Sequence, residues 1–361
     1  MNILFTSDFS GLGGGETSLI NLCDYLQLHN NIIVICCTAG KLTESLKKNN
    51  IKTYIIDYRN KSMLFANLMK IRRILITKDI EIIHNNDPLT SVIFHMAAFG
   101  LNIKNYWTCH GQWYQFNYIK KTLIKLSNRH VFCVSQNVLD SLDHMGFKHT
   151  SVTYLGIPVK KYVEASPSNL REEYNIPKSS TLLAGIGRFQ KIKGQLKLVK
   201  AIELLLNDKL DIVCLLVGGC IYGDVQEQDY YNETKKYVIS HGLENNILFL
   251  GERNDVPNIM HEIDLLVIPS DNESFGMVAI ESLASGTPVL STPNDGVSEI
   301  LEYDDKVLSL SNDEFGLYNV IKNYLTNEKI TMFSREFVQK KAINYDIATV
   351  SEKYLKVFKE G

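Results

Sequence analysis

At 361 residues, the chain is longer than one hydrophobic core usually serves, which predicts two domains of roughly 150 to 200 residues. Hydrophobic residues make up 45% of the sequence and charged residues 22%, and this balance excludes a disordered or fibrous protein. Residues 1–165 carry 18 Lys and Arg against 11 Asp and Glu, a net +7; the remainder carries 20 against 29, a net −9.

An aspartate at position 8 interrupts any signal-like apolar stretch, and no apolar run approaches the roughly 18 residues of a spanning helix. We therefore expect a cytoplasmic protein. The seven cysteines are odd in number and form no C-x-x-C pair, which predicts buried, reduced thiols.

Short runs rich in β-branched and aromatic residues alternate with helical periodicity along the whole chain, a pattern typical of parallel βαβ units. In the first half the predicted strands are residues 2–7, 32–37, 52–57, 80–84, 106–109, 131–135 and 152–155. In the second half they are residues 181–186, 211–217, 246–250, 264–268, 288–291 and 306–308. Each half is predicted to be a doubly wound parallel sheet, with a ligand cleft lined by the strand carboxyl ends.

A glycine-rich segment, Gly11 to Gly15, follows the first predicted strand and precedes a helical pattern. Glycines let backbone amides approach an anion at a helix start, although a tight structural turn would have the same sequence. Glu16 stands where a dinucleotide fingerprint needs glycine, and no acidic residue ends the second strand, which argues against a nicotinamide cofactor. No Gly-Lys-Ser/Thr follows, which excludes a nucleoside-triphosphate P-loop.

Basic residues lie beside apolar ones in two helical stretches of the first half, around Arg72-Arg73 and around Lys120, Lys121, Lys125 and Arg129. Such stretches can rest on an anionic membrane, or they can be solvated helix faces. The sequence leaves two alternatives open: a peripheral contact of this basic half with the inner face of the membrane, and a solvated helix face.

Breaker residues between the halves place a linker near residues 157–178. The predicted domains are an amino-terminal domain over 1–160 and a carboxyl-terminal domain over 175–340. A last helical segment over 341–361 is expected to pack back on the first domain.

Within the second half, Gly187-Arg188-Phe189 and Lys193-Gly194 lie in a loop between a strand and a helix. Cations at the carboxyl end of a strand can meet a diphosphate, Arg188 as a planar fork and Lys193 as a point charge. Loop lysines are also commonly solvated.

Glu281 lies eight positions after Glu273, in a segment whose pattern predicts a strand, a loop, a helix, a terminating glycine and a second strand, with Glu273 just before the helix. About two helical turns would bring both carboxylates to one side, flanking the backbone amides of Ser274, Phe275 and Gly276. A nucleotide sugar suits such a set, with amides toward phosphate and carboxylates toward hydroxyls. Either glutamate alone could be a helix-dipole partner or a solvated residue.

With these motifs the chain resembles the retaining glycosyltransferases of family 4, whose GT-B fold consists of two Rossmann-like domains facing a central cleft. Glu273-x7-Glu281 matches the family's donor motif, and Gly187-Arg188-Phe189 with Lys193-Gly194 matches its diphosphate motif. Thr108-Cys109-His110-Gly111 resembles the first-domain histidine motif. One departure is Leu155-Gly156, where the family usually has asparagine-glycine.

The resemblance implies a role for each matched residue. Arg188 and Lys193 would neutralise the departing diphosphate, Glu281 would hold ribose hydroxyls, and Glu273 and His110 would lie beside the donor sugar. Gly187, Ser274, Phe275, Gly276 and Met277 would line the donor, and Gly14 and Gly15 would contact phosphate or acceptor.

The implied function is retaining transfer of a hexose-type sugar from a nucleotide donor, with a UDP-sugar favoured, to a glycan or lipid-linked acceptor in surface polysaccharide or glycolipid synthesis. No cofactor and no nucleic-acid partner are expected. No metal is expected either, because the sequence lacks a convincing strand-end Asp-x-Asp motif and a His/Cys cluster. A nucleotide-sugar epimerase, a phosphorylase and a non-catalytic nucleotide-sugar binding protein are the alternatives.

Overall fold

The structure is a computed structural model that describes residues 1–112, 114–221, 223–302, 307–327 and 335–360. Contacts divide the chain into two compact units. Unit 1 contains Met1–Ile157 and the chain from Tyr345 on, and unit 2 contains Pro158–Asn344.

The described residues form strands and helices that alternate for most of the chain. The strands are β1 Asn2–Ser7, β2 Asn31–Cys36, β3 Lys52–Ile55, β4 Ile82–Asn85, β5 Lys104–Cys109, β6 His130–Cys133, β7 Thr150–Val152, β8 Thr181–Ile186, β9 Ile212–Val217, β10 Ile247–Gly251, β11 Leu265–Ile268 and β12 Val289–Ser291. The helices are α1 Gly14–Leu26, α2 Lys41–Lys48, α3 Leu64–Thr77, α4 Pro88–Ala97, α5 Tyr118–Ser127, α6 Gln136–His144, α7 Val159–Val163, α8 Leu170–Glu173, α9 Gln195–Asn207, α10 Val225–Ser240, α11 Val256–Glu262, α12 Met277–Ser285, α13 Asp295–Ile300, α14 Glu314–Thr326, α15 Arg335–Ala342 and α16 Ile347–Glu360.

Unit 1 contains a parallel sheet in the order β3-β2-β1-β4-β5-β6-β7. One of its apolar clusters joins α1 and strands β1 and β2 to α16. Helix α16 contributes Ile347, Val350, Tyr354 and Phe358, which recur at helical spacing and form one buried stripe. This stripe explains why the last helix belongs to unit 1 although unit 2 precedes it in sequence.

Unit 2 contains a second parallel sheet, in the order β10-β9-β8-β11-β12. Every residue of β9 is buried, as expected for a strand with helices on both faces of its sheet. The prediction of two Rossmann-like, doubly wound domains is confirmed.

In each sheet the strand order reverses between two neighbouring strands, β1 and β4 in unit 1 and β8 and β11 in unit 2. Open α/β sheets bind ligands outside the carboxyl ends of the strands at such a switch point. In unit 2 the loops that leave this point are the two that carry the predicted diphosphate and donor motifs.

Two expectations from the sequence differ from the structure. The predicted linker over 157–178 contains α7 and α8, and α7 packs on α11 and α12 because Tyr162 is apolar enough to be buried there. Of the strand predicted over 306–308, Lys306 lies outside the described residues, and Leu308 forms a single parallel bridge with Ser291.

All seven cysteines are free, and six of them are buried, in agreement with the predicted reduced thiols. Within the described ranges, no helix has the length and apolar character needed to cross a bilayer.

Candidate functional site

The loop after β8 begins at Gly187 and is held against the end of β9 by backbone hydrogen bonds. Gly187 N donates to Val217 O at 2.9 Å, and Phe189 N donates to Gly219 O at 3.0 Å. The Phe189 side chain is buried beneath the loop. Arg188, between these two anchored residues, therefore projects from a fixed backbone at the carboxyl edge of the sheet.

Arg188 is paired with Glu227, a buried residue in the first turn of α10. Its Nη1 lies 3.8 Å from Glu227 Oε1, and the two side chains are 35% and 4% exposed. Glu227 also accepts from Gln190 Nε2 and from Ile221 N, both at 2.6 Å. One carboxylate thus joins the loops after β8 and β9 and faces the arginine predicted to bind diphosphate.

Lys193 and Glu273, predicted from separate motifs, are in direct contact. Lys193 Nζ lies 2.5 Å from Glu273 Oε1, and that oxygen also accepts from Ser270 Oγ at 2.9 Å. The backbones of the two loops are joined as well, since Asp271 N donates to Ile192 O at 2.8 Å. The switch point between β8 and β11 brings together residues that are 80 positions apart.

Helix α12 starts at Met277, so Glu273 lies in the loop four residues before the helix. The expectation that two helical turns align Glu273 with Glu281 is therefore wrong in its geometry. Gly276 has φ +96°, a left-handed conformation that glycine adopts easily and that cannot belong to a right-handed helix. The helix therefore begins only after Gly276. Ser274, Phe275 and Gly276 lie in this loop, where Gly296 N donates to Glu273 O at 2.8 Å.

Glu281, in the middle of α12, has partners different from those of Glu273. The Tyr162 hydroxyl and the Lys161 ammonium group both favour its ionised form. Burial nevertheless raises the pKa of Glu281 to about 7, because a low-dielectric environment disfavours the ionised form. Glu281 is therefore an ionisable group that titrates near neutral pH.

A cavity of about 550 Å³ opens at the carboxyl ends of β9 and β10, beside α10. Its lining includes Gly218, Gly219, Ile221, Asp224 and Tyr231. This volume falls within the range of small-molecule sites.

In unit 1, the structure brings together the predicted residues Gly15 and His110. Gly14 and Gly15 are the first residues of α1 rather than part of a loop, since Glu16 Oε2 accepts from Gly13 N at 3.1 Å and closes the first turn. A Cβ added at Gly15 would lie 3.3 Å from His110 Nδ1. Glycine at this position therefore leaves room for the imidazole.

His110 follows β5, and both of its ring nitrogens are buried without a hydrogen-bond partner in the part of the chain that the structure describes. Burial lowers the pKa of His110 to about 4, so the ring is neutral at pH 7. A buried polar group without a partner is costly in a folded protein, which makes a functional explanation worth testing.

Three residues near the predicted site were not found from sequence. Glu227 lies in a polar helix with no motif, and Tyr162 lies in a segment that reads as a linker. Ser270 alone had a usable signal, because it lies three residues before Glu273 in the same loop. No group of three His, Cys, Asp or Glu side chains among the described residues is suited to hold a metal ion.

Two family models match the chain, one in each half. Residues 12–161 match "Glycosyltransferase Family 4", and residues 167–343 match "Glycosyl transferases group 1". The chain belongs to glycosyltransferase family 4. Its predicted motif residues fall within these two matched segments.

Two relatives match this family 4 chain in sequence, one over less than half of its length and one over most of it. N-acetyl-alpha-D-glucosaminyl L-malate synthase of Bacillus anthracis is 28% identical over 158 residues, which are 44% of this chain and 39% of the relative. UDP-Gal:alpha-D-GlcNAc-diphosphoundecaprenol alpha-1,3-galactosyltransferase of Escherichia coli is 23% identical over 345 residues, 87% of this chain and 84% of the relative. The match therefore spans less than half of the first relative and most of the second.

The crystal structure of HepE from Anabaena in complex with UDP is similar over the full length of both chains, with a TM-score of 0.87 and 23% identity. At this low sequence identity, the structural similarity shows that the two proteins share a fold and no more than that. The two-domain fold of this family 4 chain is therefore shared with a protein that was crystallised with a nucleotide.

Proposed function

We propose that this chain is a retaining, metal-independent glycosyltransferase that moves a hexose-type sugar from a UDP-sugar to a glycan or lipid-linked acceptor. The observation that carries the proposal is the pairing of Lys193 with Glu273 beside Arg188, at the switch point of the unit 2 sheet. Cations at this place suit a diphosphate, and the neighbouring carboxylate suits sugar hydroxyls.

Both cations face carboxylates, Lys193 facing Glu273 and Arg188 facing Glu227. A bound diphosphate would compete for Lys193 and leave Glu273 free to accept hydrogen bonds from the donor sugar. When the glycosidic bond breaks, negative charge grows on the leaving phosphate, and Arg188 and Lys193 would stabilise it. Cations supplied by the protein would do the work that a metal ion does in other phosphate sites.

His110 would act as a neutral hydrogen-bonding group toward a donor-sugar hydroxyl, because its ring nitrogens have no other described partner and its pKa is low. Retention would follow from attack on the face of the departing phosphate, whose oxygen would accept the acceptor's proton. A place in surface polysaccharide or glycolipid synthesis is supported by the E. coli relative, whose name specifies a diphosphoundecaprenol-linked acceptor.

The decisive experiment incubates purified protein with UDP-, GDP- and ADP-sugars and a panel of glycan and lipid-linked acceptors, with and without EDTA. Transfer of sugar that requires acceptor and survives EDTA supports the proposal, and the anomeric configuration of the product is read by NMR. A product still attached to the nucleotide would indicate an epimerase. Turnover that depends on orthophosphate would indicate a phosphorylase, and binding without turnover a binding protein.

A peripheral contact between unit 1 and the inner face of an anionic membrane is part of the proposal. It is supported by exposed apolar side chains on three neighbouring helices, since α4 packs on both α3 and α5. On α5, Tyr118, Ile119 and Leu126 point away from the buried Ile124. The exposed set includes Phe65, Met96, Tyr118, Ile119 and Leu126 on the three helices and Phe99 in the turn after α4.

Two of the six basic residues named in the sequence analysis, Arg72 and Lys125, form hydrogen bonds with backbone oxygens of unit 1. Lys125 Nζ donates to Met145 O at 2.9 Å, and Arg72 Nη1 donates to Ala97 O at 3.0 Å and Phe99 O at 2.7 Å. Lys120, Arg73 and Arg129 are exposed and can meet anionic headgroups.

Sedimentation with phosphatidylglycerol vesicles tests the membrane contact. Leu126→Ser should reduce the bound fraction, whereas Leu28→Ser should not, although the two leucines are 73% and 66% exposed. Binding that is absent at low salt, or reduced equally by both variants, would contradict the contact and favour a solvated helix face.

A further inference from the structure

Lys197, in the first turn of α9, makes three hydrogen bonds inside unit 2. Its Nζ donates to Pro269 O at 3.1 Å, to Asp271 Oδ1 at 2.5 Å and to Asn312 Oδ1 at 2.5 Å. An ammonium group has three N–H donors, so each of them has an acceptor here. The side chain is only 14% exposed, which distinguishes Lys197 from a solvated surface lysine.

Two of the three partners, Pro269 and Asp271, belong to the loop between β11 and α12, in which Glu273 lies. Pro269 is the first residue of this loop, and Asp271 lies two residues before Glu273. Between them, Ser270 Oγ donates to Glu273 Oε1 at 2.9 Å. Lys197 therefore holds the loop on both sides of the serine that contacts Glu273.

The third partner, Asn312, lies in the segment before α14, so one ammonium group joins three separate segments of unit 2. Without it, Asp271 would lose its positive partner, and the oxygens of Pro269 and Asn312 would lose a donor. The Asp271 side chain is 48% exposed, and exposed ion pairs add little to stability. The main effect expected from Lys197 is therefore on the geometry of the loop.

We propose that Lys197 is a positioning residue that fixes the loop after β11, so that Glu273 meets the hexose of the nucleotide-sugar donor. The inference rests on the proposed function, in which Glu273 accepts hydrogen bonds from the donor sugar. It adds a residue that lies three positions beyond the Lys193-Gly194 motif and acts through the loop, without contact to the donor.

Lys197→Met tests this role, because methionine keeps an unbranched apolar stem and removes the ammonium group. With the UDP-sugar that wild-type protein uses in the transfer assay, the variant should have a kcat about tenfold lower, as expected for a catalytic group displaced by a fraction of about 1 Å. Its affinity for UDP, measured by calorimetry, should change by less than about twofold, since UDP lacks the hexose that Glu273 would contact. A variant in which unit 2 is generally less ordered would instead lose UDP affinity together with kcat.

Lys200→Met is the matched control, because Lys200 lies on the same helix and is also paired with a carboxylate. Its Nζ lies 3.8 Å from Oε1 of Glu314, which belongs to α14 and not to the loop after β11. This variant should keep the wild-type kcat. Circular dichroism verifies that each variant is folded, and assays well below the unfolding temperature keep a less stable variant in its native state.

A double-mutant cycle determines whether Lys197 acts through Glu273. Glu273→Gln alone should lower kcat, and adding Lys197→Met to it should lower kcat further by less than about twofold. An equal loss in both backgrounds would mean that Lys197 acts elsewhere, and would overturn the positioning role.

The outcomes separate the inference from the proposed function. Wild-type kcat in Lys197→Met, an equal loss in Lys200→Met, or a loss of UDP affinity that matches the loss of kcat overturns the positioning role and leaves the proposed function intact. Wild-type kcat in Glu273→Gln overturns the contact of Glu273 with the donor sugar, and the positioning role with it. Wild-type protein that turns over no UDP-sugar contradicts the proposed function itself.

Discussion

Gly15 lies in the first turn of α1, against the imidazole of His110, and its replacement by alanine tests the candidate site of unit 1 with a single methyl group. The added Cβ would lie 3.3 Å from Nδ1, 3.4 Å from Cε1 and 3.6 Å from Cγ of the ring. The optimal separation of such atoms is roughly 3.5 to 4.0 Å. The ring would therefore have to shift by about 0.3 to 0.5 Å.

A displacement of 1 Å in a catalytic group can lower a rate by about a hundredfold, so a shift of this size is expected to lower kcat/KM by about three- to tenfold. Stability should change in the opposite direction. Alanine is a better helix former than glycine by up to about 1 kcal/mol, and the backbone of Gly15 is helical. We therefore expect Gly15→Ala to unfold at the same temperature as wild type or higher, while it transfers sugar more slowly.

The assay is sugar transfer at varied donor concentration, which gives kcat/KM for the donor, together with thermal unfolding, for wild type, Gly15→Ala, His110→Ala and the double variant. If the methyl group acts through the ring, Gly15→Ala should have no further effect once His110 is alanine. Wild-type kcat/KM in Gly15→Ala would refute the reasoning. So would an equal loss in both backgrounds, because the methyl group would then act elsewhere.

Three further predictions concern unit 2. Lys193→Ala should lower kcat by about a hundred- to a thousandfold, and Arg188→Ala should have a similar effect, because each variant removes a cation from the leaving phosphate. Lys191→Ala, in the same turn as Lys193, should leave kcat unchanged in the transfer assay. Wild-type turnover in Lys193→Ala would contradict the stabilisation of the leaving phosphate by Lys193. UDP affinity should rise about tenfold between pH 6 and pH 8 beyond the change seen in Glu281→Gln, because Glu281 has a pKa of about 7 and must lose its proton to accept ribose hydroxyls. Parallel pH profiles of the two proteins, measured by calorimetry, would contradict this. Glu227→Gln should lower kcat by about three- to tenfold through a less ordered Arg188, while Glu233→Gln, exposed on the same helix, should not; equal kcat values would remove the positioning role.

The fold was predictable because its signals are local. Runs such as Thr181–Ile186 have the same bounds in the sequence prediction and in the structure, since a buried parallel strand must be apolar on both faces. Helix starts were less predictable. Gly14 and Gly15 read as a loop but are helical, because the Glu16 side chain closes the first turn, and Met277 begins its helix later than the glutamate spacing suggested.

The candidate site was predictable as residue types but not as pairs. Arg188, Lys193, Glu273, Glu281 and His110 were found from motifs, yet the pairing of Lys193 with Glu273 depends on β8 and β11 being neighbours. Glu227 carried no signal, because a glutamate in a polar helix looks the same whether its carboxylate is solvated or buried against an arginine.

By itself, the sequence determined the alternation of strands and helices, the division into two Rossmann-like domains and the motifs that place the chain in glycosyltransferase family 4. These properties follow from local periodicity and from residues that are close in sequence. Only the tertiary structure decided which residues are partners: His110 with Gly15, Arg188 with Glu227, and Lys193 with Glu273. Such contacts depend on strand order and helix packing, which bring together residues separated by up to 95 positions, as in Gly15 and His110.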